Sequence, residues 1–186
     1  MKLLNILLII FISLTNVIKA DSKQLQILDI LQKGGNLIFI RHAYAPGGGD
    51  PENFKINDCS TQRNLNNSGR EQSKKIGNFF NENKIPIDLV LSSEWCRCKE
   101  TALIAFSNYE TKDFLNSFYS AKFSENKKKQ MKNLKKFIND WGNDKNLILV
   151  THYVVISEAL NYASNSGEIV ISDKNFKKIG SIKISY

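Results

Sequence analysis

Two short apolar runs constrain the fold of this 186-residue chain more than any other feature. Residues 37–40 and 147–150 are each continuously apolar, and they end on Arg41-His42 and Thr151-His152, which contain the only two histidines. Continuous apolar runs of this length are typical of strands buried on both faces, as in the centre of a parallel sheet. The runs therefore predict a helix-covered sheet that carries both histidines at strand ends.

Strand and helix patterns alternate along the rest of the chain. Helices are predicted over 22–33, 68–83, 94–106, 127–141 and 154–163, and further strands over 87–91, 169–172 and 179–185, the last two as an antiparallel pair. Ser68, with Glu71 three residues later, has the capping-box pattern and is expected to cap its helix. The predicted fold class is α/β, a three-layer α/β/α sandwich with a mainly parallel central sheet.

The ends of these strands are where a functional site is expected. A third strand ends on Ser92-Ser93, and open α/β sheets bind ligands at the carboxyl ends of their strands. Residues 43–66 form a long loop rich in glycine, proline and asparagine. A loop of this length inside a compact domain is usually functional or fastened in place.

The first twenty residues differ from the rest. Lys2 precedes an apolar run over 3–14, and Ala20 stands just before Asp21, which is the pattern of a cleaved secretory signal peptide. The run is short for a bilayer span, which needs about 20 apolar residues. We expect a signal peptide over 1–20 and one exported, periplasmic domain over 21–186; an uncleaved membrane anchor is the alternative.

Charge and cysteine content narrow the expected partners. Without Lys2 and Lys19, the 26 basic residues become 24 against 18 acidic ones, a net charge of about +6 that suits an anionic substrate or surface. The interleaved aromatics of a nucleic-acid platform are missing, so no nucleic-acid partner is expected. In an oxidising compartment Cys59 is expected to pair with Cys96 or Cys98, which leaves one thiol free.

Two histidines and nearby arginines at one sheet edge predict phosphoryl transfer. A neutral imidazole is a nucleophile at neutral pH and can carry a phosphoryl group. Arginine guanidinium groups bind phosphoryl oxygens in pairs and offset their charge. Catalysis of this kind depends mainly on positioning and charge stabilisation.

Four ordered motifs then resemble those of a known family. The segment "IRHA" at 40–43 is similar to the Arg-His-Gly/Ala signature of the histidine phosphatase superfamily, also called the phosphoglycerate mutase-like fold. The segments "RNLNNSGREQSKKIG" at 63–77, "LVLSSEWCRCKETALIA" at 89–105 and "LVTHYVVI" at 149–156 follow in the family's order. Asp58-Cys59, "TQRNL" and "WCRC" resemble a small exported bacterial branch of it.

The resemblance implies a role for each matching residue. His42 is expected to be the phosphorylated nucleophile, Arg41 and Arg97 to hold the phosphoryl oxygens, and His152 to stabilise the transition state. Arg63 is expected to be a further phosphate ligand. The implied reaction is phosphoryl transfer to His42 followed by hydrolysis, with no cofactor and no metal.

The chain departs from the family pattern at the proton donor. Tyr153 follows His152 where the acid-phosphatase branch has an aspartate, and residues 114–120 carry no glutamate where mutase-like members have one. Asp50, Glu52 or Glu94 could take that role from neighbouring loops. Losing a proton donor typically costs roughly 10²–10⁴-fold in rate.

The expected protein is therefore a monomeric phosphatase acting on a phosphorylated small molecule or a surface phosphate. A phosphate-binding protein that keeps the pocket and lacks the acid is the first alternative. A mutase is the second, and export argues against it because its substrates are cytoplasmic.

Overall fold

A computed structural model describes residues 24–142 and 144–186. The expected signal segment, 1–20, lies outside the described residues. The helices of the described part are α1 (24–33), α2 (Asn67–Glu82), α3 (Cys96–Phe106), α4 (Ala121–Ser124), α5 (Lys127–Asp140) and α6 (Tyr153–Leu160). Its strands are β1 (Leu37–Arg41), β2 (Ile87–Ser92), β3 (Glu110–Thr111), β4 (Asn146–Thr151), β5 (Ile169–Ser172) and β6 (Lys178–Ile182). No helix in the described ranges has the length and apolarity that crossing a membrane requires.

The described strands form one sheet of six, in the order β3-β2-β4-β1-β5-β6. The pairs β1–β4, β2–β4 and β2–β3 are parallel, whereas β5 runs antiparallel to both β1 and β6. The mainly parallel sheet and the closing antiparallel pair are therefore confirmed. The two-residue strand β3, which the sequence pattern did not indicate, extends the sheet beside β2.

Side chains of the two central strands alternate between two buried clusters, because successive residues of a strand point to opposite faces. One cluster joins the sheet to α1, α2 and α3, and the other joins it to α5 and α6. Both faces are therefore covered, which confirms the three-layer α/β/α arrangement. It also explains why β1 and β4 read as continuously apolar.

The predicted capping box of α2 is wrong. Asn66 is the N-cap, and its side chain accepts a hydrogen bond from the Gly69 amide. Glu71 instead pairs with Lys74 on the exposed surface. Asparagine caps a helix as well as serine does, so the cap moves two residues towards the N-terminus. The third helix likewise begins at Cys96, because residues 93–95 remain extended or turn-like before it.

The long loop is fastened to α3 by a disulfide between Cys59 and Cys96, one of the two predicted pairings. Asp58 caps the 3₁₀ turn Cys59–Thr61 and so shapes the loop at the bridge. Cys98 keeps a buried free thiol, and burial raises its pKa to about 12. The bridge joins the start of α3 to the loop that leads from Asp50 to Arg63.

Loss of this bridge is expected to destabilise the protein. For a loop of 37 residues, the chain-entropy argument gives about 2–4 kcal/mol. A Cys59→Ser, Cys96→Ser double variant should therefore unfold at lower guanidinium concentration than the oxidised protein. Dithiothreitol should lower the wild-type midpoint by the same amount and leave the variant unchanged. Equal midpoints for the oxidised protein and the variant would contradict the expected stabilisation.

Candidate active site

His42 is positioned by the pairing of the two central strands. Its backbone amide donates to the Thr151 carbonyl at 2.9 Å, just beyond the last β1–β4 pair, Arg41 with Thr151. Its Nδ1 lies 2.8 Å from the Ala43 carbonyl. A carbonyl only accepts, so Nδ1 carries the proton and the lone pair is on Nε2. The imidazole of His42 therefore presents Nε2 to the site.

His152 lies beside His42, with ring centroids 5.5 Å apart. Its Nδ1 is 3.5 Å from Nη2 of Arg97, which can only donate, so Nε2 carries the proton. That Nε2 lies 2.9 Å from Oγ of Ser93, and Ser93 in turn donates to Asn116 at 3.0 Å. The polar residues after β1, β2 and β4 thus meet at one edge of the sheet, as predicted.

Arg97 presents two different edges of its guanidinium group. On one edge, Nε lies 3.2 Å from His42 Nε2 and Nη2 faces His152. At the other end, Nη1 and Nη2 donate to the two carboxylate oxygens of Asp50 at 2.7 and 3.3 Å. Asp50 also accepts from the Trp95 indole and the Arg63 amide, both at 3.0 Å. Asp50 therefore fixes Arg97 from behind and leaves the Nε/Nη2 edge turned to the histidines.

The other two predicted arginines also line the pocket. Arg41 donates from Nη1 to the Ser164 carbonyl at 2.8 Å, while its buried Nε has no hydrogen-bond partner among the described residues. Arg63 donates from Nε to the Gly49 carbonyl at 3.1 Å and from Nη1 to the Ala45 carbonyl. Arg41 thus keeps an unused donor, whereas Arg63 uses two donors on the glycine loop.

The three acidic residues considered as proton donors lie in different places. Asp50 lines the pocket and is bound to Arg97. Glu52 lies at the exposed rim of the same pocket. Glu94 accepts a hydrogen bond from Asn116 at 2.6 Å and does not line that pocket. Across the described residues, no group of three or more His, Cys, Asp or Glu is placed to hold a metal ion.

Burial and positive charge control the protonation of the site. Burial first, and then the charge of Arg97, lower the pKa of both His42 and His152 well below the ordinary histidine value. Burial alone would raise the pKa of Asp50, but the hydrogen bonds and charge of Arg97 outweigh it and lower that pKa. The site therefore holds two neutral imidazoles and an ionised carboxylate at neutral pH.

Several motif residues support the turn after β1 instead of lining the pocket. A Cβ on Gly69 would lie 2.0 Å from the Tyr44 carbonyl, so only glycine permits this approach of α2. Gln72 accepts from the Tyr44 amide at 2.8 Å, and Thr101 accepts from the Ala43 amide at 3.0 Å. These three residues fix the segment that carries His42.

Sequence reasoning missed the roles of Asp50 and Ser93. Asp50 was considered as an acid, but its lowered pKa and its bonds to Arg97 make it an ionised positioning group. Ser93 was expected only as part of a polar strand end, but it orients His152. The available signal for Asp50 was an acidic residue in the loop that follows Arg41-His42 and also carries Arg63.

Comparison with known proteins agrees with this geometry. Residues 37–146, more than half of the chain, match the family model described as histidine phosphatase superfamily (branch 1). The chain has no significant sequence match among curated proteins.

Solved structures of similar fold cover most of the chain. The protein histidine phosphatase SixA complexed with tungstate is 15% identical, with a TM-score of 0.53 over 81% of this chain and 96% of that one. The putative phosphohistidine phosphatase SixA from Agrobacterium tumefaciens is 17% identical, with a TM-score of 0.56 over 80% and 98%. The protein TTHB049 from Thermus thermophilus is 15% identical, with a TM-score of 0.56 over 80% and 99%. At these identities the likeness establishes the fold.

The buried neutral histidines are expected to make stability fall in mild acid. Below the ordinary histidine pKa of about 6.5 the unfolded chain binds protons that the folded site does not, so protonation favours unfolding. Between pH 7.5 and 5.5 the free energy of unfolding should drop by about 3 kcal/mol for two such groups. Guanidinium unfolding at both pH values measures it. His42→Asn should remove about half of the dependence, and an unchanged dependence would contradict the assignment.

Asp50→Asn should weaken catalysis by loosening Arg97. The variant keeps the size of the side chain but loses the charge and one acceptor of the paired contact. A misplaced guanidinium typically costs about tenfold to a hundredfold in rate, so kcat for para-nitrophenyl phosphate should fall by that factor. Asp29→Asn, which removes the same charge from an exposed surface ion pair, is the control and should match wild type. A rise in activity would show instead that Asp50 competes with phosphate for Arg97.

Proposed function

The chain belongs to the histidine phosphatase superfamily, branch 1, and on that premise we propose that it is a metal-independent phosphatase acting through a phosphohistidine on His42. One observation carries the proposal. The Ala43 carbonyl fixes the proton of His42 on Nδ1, and the Nε2 lone pair then faces the donor edge of Arg97. In this structure the lone pair accepts from Arg97 Nε, and it becomes free for attack on phosphorus when a bound phosphoryl oxygen takes over that donor.

The reaction proceeds in two steps. The lone pair of His42 Nε2 forms a bond to phosphorus, and the bond to the leaving oxygen breaks with its electron pair. Water then forms the new P–O bond and releases a proton to the solvent, the P–N bond breaks, and its electron pair returns to Nε2. In each step Arg97 and Arg41 neutralise charge on the non-bridging oxygens.

His152 also helps to neutralise charge on the non-bridging phosphoryl oxygens. Its Nδ1 faces the same region as the donor edge of Arg97. A bound dianion favours a protonated imidazole, so His152 then donates from Nδ1 to a phosphoryl oxygen. Ser93 and Asn116 hold the ring in that orientation through Nε2.

The proposed substrate is a phosphomonoester or related phosphoryl compound, free or on an anionic surface. The net positive charge and the arginine-lined pocket of about 560 Å³ support an anionic ligand of modest size. The proposed location is the periplasm, after export through the segment at 1–20, and the proposed state is a monomer. Arg63 is proposed as a weaker phosphate ligand, because two of its donors are already bound to carbonyls.

A specific observation favours the second candidate, a phosphate-binding protein with weak catalysis. Asp50 is held ionised by Arg97, Glu94 does not line the pocket, and Glu52 lines only its exposed rim. A poor leaving group would then lack the proton it needs. Such a protein would bind phosphate analogues firmly and hydrolyse esters of ordinary alcohols very slowly.

Hydrolysis of para-nitrophenyl phosphate in the presence of EDTA tests the proposal. Its leaving group needs little protonation, so we expect turnover that survives EDTA and falls at least about a thousandfold in His42→Ala, because the nucleophile is lost. Because the P–N bond of a phosphohistidine is labile in acid, rapid quenching in alkaline denaturant should also trap a phosphorylated protein in wild type and none in the variant. Absence of turnover with tungstate binding intact would favour the binding protein. Equal turnover in His42→Ala would contradict the mechanism.

A further inference from the structure

An aromatic surface begins directly beside the phosphoryl end of the pocket. Phe54, Trp95 and Phe123, here called the aromatic wall, all line the pocket. Trp95 stacks on Phe54 with ring centroids 5.0 Å apart, and Phe123 meets both rings edge-on at 5.5 Å. The Trp95 ring also meets His152 edge-on at 5.3 Å. Trp95 itself is only 3% exposed, so a leaving group on a phosphoryl bound beside His42 would meet mainly the half-buried rings of Phe54 and Phe123.

Two further rings at the pocket are left open to solvent. Tyr119 is 62% exposed and Tyr153 is 37% exposed. They contact each other edge-on at 5.8 Å and line the same pocket. The Arg41 guanidinium lies 5.4 Å from the centre of the Tyr153 ring, which joins this pair to the phosphoryl end. Exposed aromatic rings in a concave site are typical of a surface that a ligand covers.

The positions of the acidic residues also favour a ligand with an aromatic leaving group. Asp50 is ionised and bound to Arg97, Glu94 does not line the pocket, and Glu52 lies at its exposed rim. An ordinary alcohol leaves as a strongly basic alkoxide unless an acid protonates it. A phenol has a pKa of about 10, so it departs as phenolate with far less assistance from an acid.

We propose that the substrate class of this site is the small aryl phosphates, in which the phosphorylated oxygen is phenolic and the ring packs on the aromatic wall. The inference rests on the proposed function. In the first step the P–O bond breaks towards the phenolic oxygen, which keeps the electron pair and later takes a proton from water. The pocket of about 560 Å³ holds a phosphoryl group together with a ring.

Three phosphate monoesters test the two parts of this inference separately: the preference for a phenolic leaving group and the contact of the ring with the aromatic wall. Phenyl and benzyl phosphate both carry a ring, but only the phenyl ester has a weakly basic leaving group. Benzyl and ethyl phosphate both release alkoxides, but only the benzyl ester has a ring. We expect kcat/KM to be at least about a hundredfold higher for phenyl than for benzyl phosphate. It should be about tenfold higher for benzyl than for ethyl phosphate, since ring contacts contribute on that scale.

Three single variants test which side chains determine these ratios of kcat/KM. Phe123→Leu keeps an apolar side chain and loses the ring, so the benzyl-to-ethyl ratio should fall towards one. Phe137→Leu is the matched control, because Phe137 packs on Phe114 away from the pocket, and it should keep the wild-type ratio. Glu52→Gln should leave the phenyl-to-benzyl ratio unchanged, since a solvated rim carboxylate supplies no proton in this proposal.

Each contrary result has a distinct meaning. Equal kcat/KM for benzyl and ethyl phosphate overturns the role of the aromatic wall. A benzyl ester hydrolysed as fast as the phenyl ester overturns the preference for phenolic leaving groups, and slowing of the benzyl ester by Glu52→Gln would identify Glu52 as the acid. No hydrolysis of any of the three esters, with tungstate still bound, overturns the proposed function and this inference with it.

Discussion

The parallel pairing of β1 with β4 is the constraint on which the site depends. It aligns Arg41 with Thr151, and the next amide, that of His42, then donates to the Thr151 carbonyl. The two histidines that follow the strands are therefore neighbours by construction, although 110 residues separate them in the chain. Because both strands are buried on both faces, a shift of register would turn core side chains to the wrong layer. The packing of the core therefore also keeps the two histidines at a fixed distance from each other.

Much of the architecture could be predicted because its causes are local. Continuous apolar runs indicated β1 and β4, and helical periodicity indicated the layers that cover them. The cap of α2 was misassigned to Ser68 because asparagine caps a helix as well as serine does, and the Asn66 side chain accepts from the Gly69 amide. The short strand β3 escaped notice because two residues carry no periodicity.

The site could be predicted where a residue type has few other roles at its position, as with His42 and His152 at the strand ends. It was not predictable where the role depends on a partner distant in sequence. Asp50 and Arg97 are 47 residues apart, and only the folded loop makes the aspartate a support for the guanidinium. The role of Ser93 likewise depends on a distant partner, because its hydroxyl orients the ring of His152. The arginines were identifiable by charge, but which edge of Arg97 is free could be known only from geometry.

The buried thiol of Cys98 has a consequence for how the chain acquires its disulfide. In the unfolded chain Cys59 is almost equally distant from Cys96 and Cys98, so loop entropy does not discriminate between the two pairings. In the folded protein Cys98 faces His152 at 3.5 Å, and burial keeps it protonated and therefore unreactive in exchange. Once α3 is packed against the sheet, the third thiol is therefore withdrawn from reshuffling. The packed core thus preserves the Cys59–Cys96 bridge against exchange with the nearest alternative cysteine.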